Sequence, residues 1–241
     1  MNAETPQARE LSLPQAFLLL ATNDKDGEPE LPAYVLRTTL AGAILAELEL
    51  LGAIELRGKH VRATGTAPET ELQPELELIR EKSRPHTPKR WVSMLEGRRE
   101  ARHVYEGMAL RGIVEPVGEQ HLGLFKTVRY PEKDHGPEAA LLQEVRAAVG
   151  LKPAAAPPSE AASPDATPPT SAPPEARAPA GPPDARITAL IALLHAAGLL
   201  RRLFPEVDQN RADELVKNHW PSRAVEEELR LIRLTLLDIA T

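Results

Sequence analysis

The residues best equipped for chemistry lie between Arg80 and His103. Eight cationic side chains (Arg80, Lys82, Arg84, Lys89, Arg90, Arg98, Arg99, Arg102) face three carboxylates (Glu81, Glu96, Glu100), a local charge of +5 in a chain of net charge −6. Arg98 and Arg102 are four residues apart and share one helix face. Lys89, Arg90 and Arg99 widen the same basic stretch. Cations at this density suit an anionic lipid surface or, in principle, a nucleic-acid backbone. The plainer role is a solvated face paired with glutamates from elsewhere in the chain. Lys89, Arg90, Arg98, Arg99 and Arg102 are therefore the candidate binding residues.

Little else suggests chemistry. The seven histidines (60, 86, 103, 121, 135, 195, 219) show no i,i+4 pairing and no HExxH spacing, so no metal site is expected. His195, inside an apolar helix, reads as a hydrogen-bonded core residue, and Trp91 as core rather than a lipid anchor. Tyr130–His135 reads as a polar loop, of the kind that lines sites, with a Lys133–Asp134 pair as the simpler explanation. There is no phosphate loop, no GxGxxG and no GxSxG. Neither catalysis nor a cofactor is expected.

The elements that must carry these residues follow from apolar spacing. In Leu36–Arg62, Leu40, Ile44, Leu48 and Leu51 form an apolar stripe at helical spacing. Ala41, Gly42, Ala43 and Ala46 keep that helix thin, so other backbones can approach closely. Gly52 stands where a helix end favours positive φ. Ala53–Leu56 and Lys59–Ala63 read as two strands around Arg57-Gly58. A second unit, Arg98–Thr127, repeats the plan. Val104, Met108 and Leu110 form the apolar side of its helix, Gly112 ends it, and Ile113–Val117 and Leu122–Thr127 read as strands joined through 118–121. The two helix–Gly–hairpin units, about 60 residues apart, are winged-helix-like. Further helices are expected at Leu13–Ala21, Pro74–Lys82, Pro88–Glu96, Pro137–Val149, Ala212–Asn218 and Val225–Ile239. The fold class is mainly α, a helical bundle with two peripheral β-hairpins.

Composition bounds the organisation. With no cysteine there is no disulfide framework and no thiolate chemistry. Aromatics are 3% of residues, so Leu, Ala, Ile and Val must build the core. No apolar run reaches the length of a membrane span, and the first residues lack the plan of a signal peptide. A cytoplasmic protein is expected. Residues 1–10 read as a disordered start. Eleven of the 24 prolines fall within residues 151–185, and that segment has too few large apolar residues to offset the entropy of ordering. It reads as a tether between residues 11–150 and residues 186–241. The run ITALIALLHAAGLL is apolar on all sides and needs cover, so the C-terminal helices should complete the same domain. The alternative is a separate helical hairpin.

In order, LSLPQAFLLLATNDKDGE, TTLAGAILAELELLGAIEL, RWVSMLEG, MALRGIVEP, LFKTVRYPEKD and RITALIALLHAAGLLRRLF resemble the Golgi phosphoprotein 3 family, in its bacterial branch. The resemblance covers roughly residues 11–149 and 186–240. It implies a bundle of buried helices ringed by amphipathic ones, with hairpins at the rim. It also implies a non-enzymatic peripheral adaptor that binds phosphatidylinositol 4-phosphate on membranes. The family's headgroup pocket uses a tryptophan, an arginine on the first thin helix and two arginines before the second unit. Position by position these fall near Pro32, on Ala41, near Arg98 and near Ala101, with Arg102 adjacent. Three of the four pocket groups are thus replaced, and each lost charge-assisted contact to phosphate removes a strong interaction. Binding graded by charge is the expectation, at the inner face of the membrane. A protein–protein scaffold of the same fold is the alternative. A nucleic-acid binder is disfavoured by the net acidity and by the apolar helix of the first unit.

Overall fold

A computed structural model describes residues 11–65, 68–121, 125–152 and 184–239. The expected disordered start and nearly all of the proline-rich tether lie outside these residues. Helix α1 (Leu13–Leu20) begins at Ser12, whose N–H donates to Gln15 Oε1 at 3.2 Å, and Pro14 sits in its first turn. All eight of its residues are buried. A turn at 23–27 leads to α2 (Ala33–Leu50), the axis of the molecule. Thirteen of its 18 residues are buried, so its apolar surface runs almost fully round rather than along one stripe.

The thinness of α2 has a structural purpose. A Cβ placed on Gly42 would lie 2.2 Å from Val225 Cγ2 and 3.3 Å from Leu193 Cδ2. Ala41, Ala43 and Ala46 are likewise buried. Gly52 takes φ +65° and turns the chain into the first hairpin, β1 (Ile54–Arg57) and β2 (His60–Ala63), paired Ile54↔Ala63 through Arg57↔His60. Val61 is buried, while Arg62, opposite Glu55, stands on the outer face.

Three helices follow: α3 (Gln73–Glu81), α4 (Pro88–Leu95) and α5 (Arg98–Leu110). Gly112 ends the α5 unit with φ +74°. The second hairpin departs from the sequence reading. Its strands are β3 (Val117–His121) and β4 (Phe125–Arg129), about four residues later than expected at the first strand. Ile113 and Val114 are buried, but their backbone is occupied elsewhere. Ile113 C=O accepts from the N–H groups of Lys133 and Asp134, and Glu115 N–H donates to Pro131 C=O. Residues 118–121 are strand rather than turn. Leu110 is also corrected: it is 91% exposed, because two residues beyond buried Met108 carries a side chain to the far side of the helix.

After α6 (Gly136–Ala148), the chain re-enters at α7 (Ala185–Ala196), α8 (Leu200–Leu203), α9 (Gln209–Val216) and α10 (Trp220–Ile239). Helix α7 packs on α1, α2, α6, α9 and α10, and α10 lies along α2 and α4. Ile187, Leu190, Leu193, Leu194, Leu199 and Leu200 are buried in one core with Phe17, Ile44 and Trp91. An ion pair between a half-buried arginine and a buried glutamate fixes the junction. Arg186 donates to both Glu47 oxygens, at 2.6 and 3.1 Å, and Leu13 N–H donates to Glu47 Oε2 at 2.8 Å. The architecture is mainly α with two small antiparallel hairpins.

Candidate anionic-surface site

The basic stretch is presented by α4 and α5. Thr87 opens α4, its Oγ1 accepting from Arg90 N–H at 3.4 Å, and Pro88 takes the first helical position. Trp91, Val92 and Leu95 turn inward, so Arg90 is exposed and Lys89 half-buried. The Trp91 ring meets His86 edge-on, with centroids 5.6 Å apart. On α5, Val104, Tyr105 and Met108 face the core, leaving Arg98, Arg99 and Arg102 exposed. Gly97, ahead of α5, is covered by the Glu100 carboxylate, which folds back over it. Among the described residues, none of the five cations makes an ion pair within 4 Å.

Their electrostatic neighbours divide them. Lys89 and Arg90 act on Glu228 of α10, whose pKa is raised by burial and further by Glu96, and lowered back by the two cations. Arg99 and His103 act in the same way on Glu75 of α3, which burial raises. Arg102 acts on Tyr130, raised by burial and by Glu106. Arg98 is the member of the set with no such neighbour among these groups.

A second basic feature was not singled out from the sequence. An open groove of about 810 Å³ between the first hairpin and α3 is lined by Arg57, Arg62, Arg80 and Lys82, with Glu55. Arg57 pairs with Glu55 and Arg80 with Glu77, each at 2.7 Å. Alternation along the strands was the available signal: Arg57 and Arg62 stand opposite the buried Val61 face.

A polar cluster lies where the turn after α1 meets the loop after β4. Ligand atoms of Asp24, Glu132 and His135 all fall within 4.8 Å of one another. Glu132 carries its side chain only 2% exposed; Oε2 faces His135 Nδ1, while Oε1 has no hydrogen-bond partner among the described residues. Glu138, in the first turn of α6, is pushed up to about 8, first by burial and then by Asp24 and Glu132. Below the cluster, Tyr105 and Tyr130 stack with centroids 4.4 Å apart. The Thr22 hydroxyl donates to Leu18 C=O at 2.7 Å, so Tyr105 donates to Thr22 Oγ1 at 2.6 Å, and burial drives the Tyr105 pKa up to about 12. The loop thus holds no Lys133–Asp134 pair; Asp134 accepts instead from Gly136 N–H at 3.0 Å. The signal for the cluster was the three-residue spacing of Glu132, His135 and Glu138.

His195 is likewise not a core residue. It is half-buried between α7, α9 and α10, with Nε2 3.2 Å from Asp213 and Nδ1 3.8 Å from Glu226. Those carboxylates raise its pKa against the opposing effect of burial.

An almost all-round buried central helix, a surrounding helical shell and two small hairpins define a mainly α fold that carries an exposed basic stretch on α4 and α5. No described helix is long and apolar enough to cross a membrane. The chain belongs to the Golgi phosphoprotein 3 family, whose model matches residues 13–232. No curated protein matches the chain.

Proposed function

We propose that this protein is a non-enzymatic peripheral adaptor that docks on an anionic lipid surface through Arg98 and Arg102, with Lys89, Arg90 and Arg99 adding to the attraction. The observation that carries this reading is the exposure of Arg90, Arg98, Arg99 and Arg102, with Lys89 half-buried beside them, without close ion-pair partners on helices anchored by Trp91, Leu95, Val104 and Met108. A rigid support lets charge accumulate at one surface without an ordering cost in the backbone. Apolar side chains accompany it: Leu110 is 91% exposed at the end of α5, and Val117 and Val128 are 46% and 38% exposed on the hairpin that follows. Each Lys or Arg near an anionic membrane contributes about 1 kcal/mol. Reversing Arg98 and Arg102 should therefore weaken binding more than removing either charge alone.

The test is co-sedimentation of the full chain with phosphatidylglycerol vesicles, wild type against Arg98→Glu/Arg102→Glu. Loss of most bound protein is expected. Equal binding by the two proteins would remove the basic face as the docking surface. A protein–protein scaffold is the second reading. Leu231, Leu234, Leu236 and Leu237 of α10, each 44–66% exposed, favour it.

A further inference from the structure

We propose that Asp24, Glu132 and His135, with Glu138 alongside, form a site for one divalent transition-metal ion of the Zn²⁺ kind. The Glu132 side chain is almost wholly covered, and no N–H or hydroxyl group among the described residues donates to its Oε1. Leaving a buried carboxylate oxygen unsatisfied is costly. The groups around it are the carboxyls of Asp24 and Glu138, of which Glu138 can share a proton with Glu132, and the imidazole of His135, whose Nδ1 is engaged by Oε2. A cation satisfies all of these atoms at once.

The site is built rather than incidental. Glu132 N–H donates to Asp24 C=O at 3.0 Å, and Tyr130 N–H to Gly27 C=O at 3.3 Å. These bonds press the two loops together. Gly27 permits the approach: at φ +68° a Cβ there would lie 2.3 Å from Pro131 N. The ligand atoms already lie within 4.8 Å of one another. A tetrahedral ion with bonds of about 2.0–2.2 Å separates its ligands by about 3.4 Å, so the wider separations close slightly while the exposed His135 ring turns to give up its Nδ1 contact with Glu132 Oε2 to the ion. The His135 side chain is 69% exposed, which gives an ion a path in from solvent.

The donor set selects the class of ion. One imidazole nitrogen with carboxylate oxygens suits Zn²⁺ or Mn²⁺. Ca²⁺ takes six to eight oxygen ligands, and Mg²⁺ keeps several waters and avoids such cages. The bound ion would tie the turn after α1 to the base of the second hairpin and the start of α6. This inference is independent of lipid binding.

The test is calorimetric titration of the chelator-stripped full chain with ZnCl₂, with MnCl₂, MgCl₂ and CaCl₂ in parallel and Co²⁺ absorbance as a coordination signature. One Zn²⁺ per chain is expected, with Mg²⁺ and Ca²⁺ weaker. Affinity should fall at least about tenfold in Asp24→Asn and in His135→Ala. Both side chains are solvent-accessible, so the variants should keep the circular dichroism of the parent. Glu132→Gln should also lose the ion; should that buried change prevent folding, His135→Ala still decides. Absence of saturable binding at one ion per chain, or undiminished binding by His135→Ala, would overturn the site. Tighter binding of Mg²⁺ or Ca²⁺ than Zn²⁺ would overturn its assignment to a transition metal.

Discussion

At the scale of single residues, a half-buried histidine and a partly buried ion pair carry the sharpest stability predictions. His219 precedes α10 and caps it: Ser222 N–H donates to its Nδ1 at 3.3 Å. Burial lowers its pKa to about 4 from 6.5, and a proton on Nδ1 would break the cap. The folded-state value lies below the unfolded one, so the contribution is full above pH 6.5 and is lost as pH falls toward 4. The loss amounts to up to about 3 kcal/mol. Urea unfolding between pH 7 and 4 should show it, and His219→Asn, which keeps an N-cap acceptor, should flatten that part of the profile. An unchanged profile would mean that another group governs acid sensitivity. The second group is the Glu47–Arg186 pair. Arg186→Ala leaves a buried carboxylate facing α1 and should cost about 3 kcal/mol in a denaturant titration. The pair could not be seen in the sequence, because its partners are 139 positions apart and nothing local marks either one.

At the scale of elements, helix contact distance decides. Gly42→Ala would gain up to about 1 kcal/mol in helix propensity. The new Cβ would overlap Val225 Cγ2, and overpacking of this kind costs about 1–3 kcal/mol, so net destabilisation is expected. Adding Val225→Ala should recover part of the loss. Thermal melts of the two single variants and the double variant give the coupling, and strict additivity would deny the contact. The sequence made this element legible because small residues sit among leucines at helical spacing. Glycine marked both unit ends, and Thr87 and Ser12 marked two helix starts. The second hairpin was misplaced because buried Ile113 and Val114 carry the apolar signature of a strand. Their hydrogen bonds run instead to the loop at 131–134, a pairing set by tertiary packing that no local pattern encodes. Leu110 carries an apolar signature next to core residues in sequence, but its angular position on α5, two residues past Met108, turns it to solvent.

At the scale of the whole molecule, one core joins residues on both sides of the 153–183 segment. A chain ending at Gly150 loses α7 and α10, which cover α2, so it should lack a cooperative melt. Replacing residues 154–183 with a Gly/Ser linker of equal length should shift the melting temperature little, and a large drop would place part of the core in that segment. The basic stretch was legible as a charge cluster because its members are close in sequence. The partition of those cations among Glu75, Glu228 and Tyr130 was not, since it depends on how α3, α10 and the loop after β4 pack beside α4 and α5. The carboxylate–histidine cluster joins segments more than 100 residues apart, and the sequence marked only the polar Tyr130–His135 loop of it. The central claim is docking by charge on a fixed basic face. Its most direct test is binding of the full chain to phosphatidylserine, phosphatidylglycerol and phosphatidylinositol 4-phosphate vesicles at matched surface charge, across a salt series. Screening within roughly 8–10 Å predicts similar affinities for all three lipids and a steep, shared loss as salt rises. A strong preference for the phosphoinositide that survives moderate salt would contradict the account and require a specific headgroup pocket.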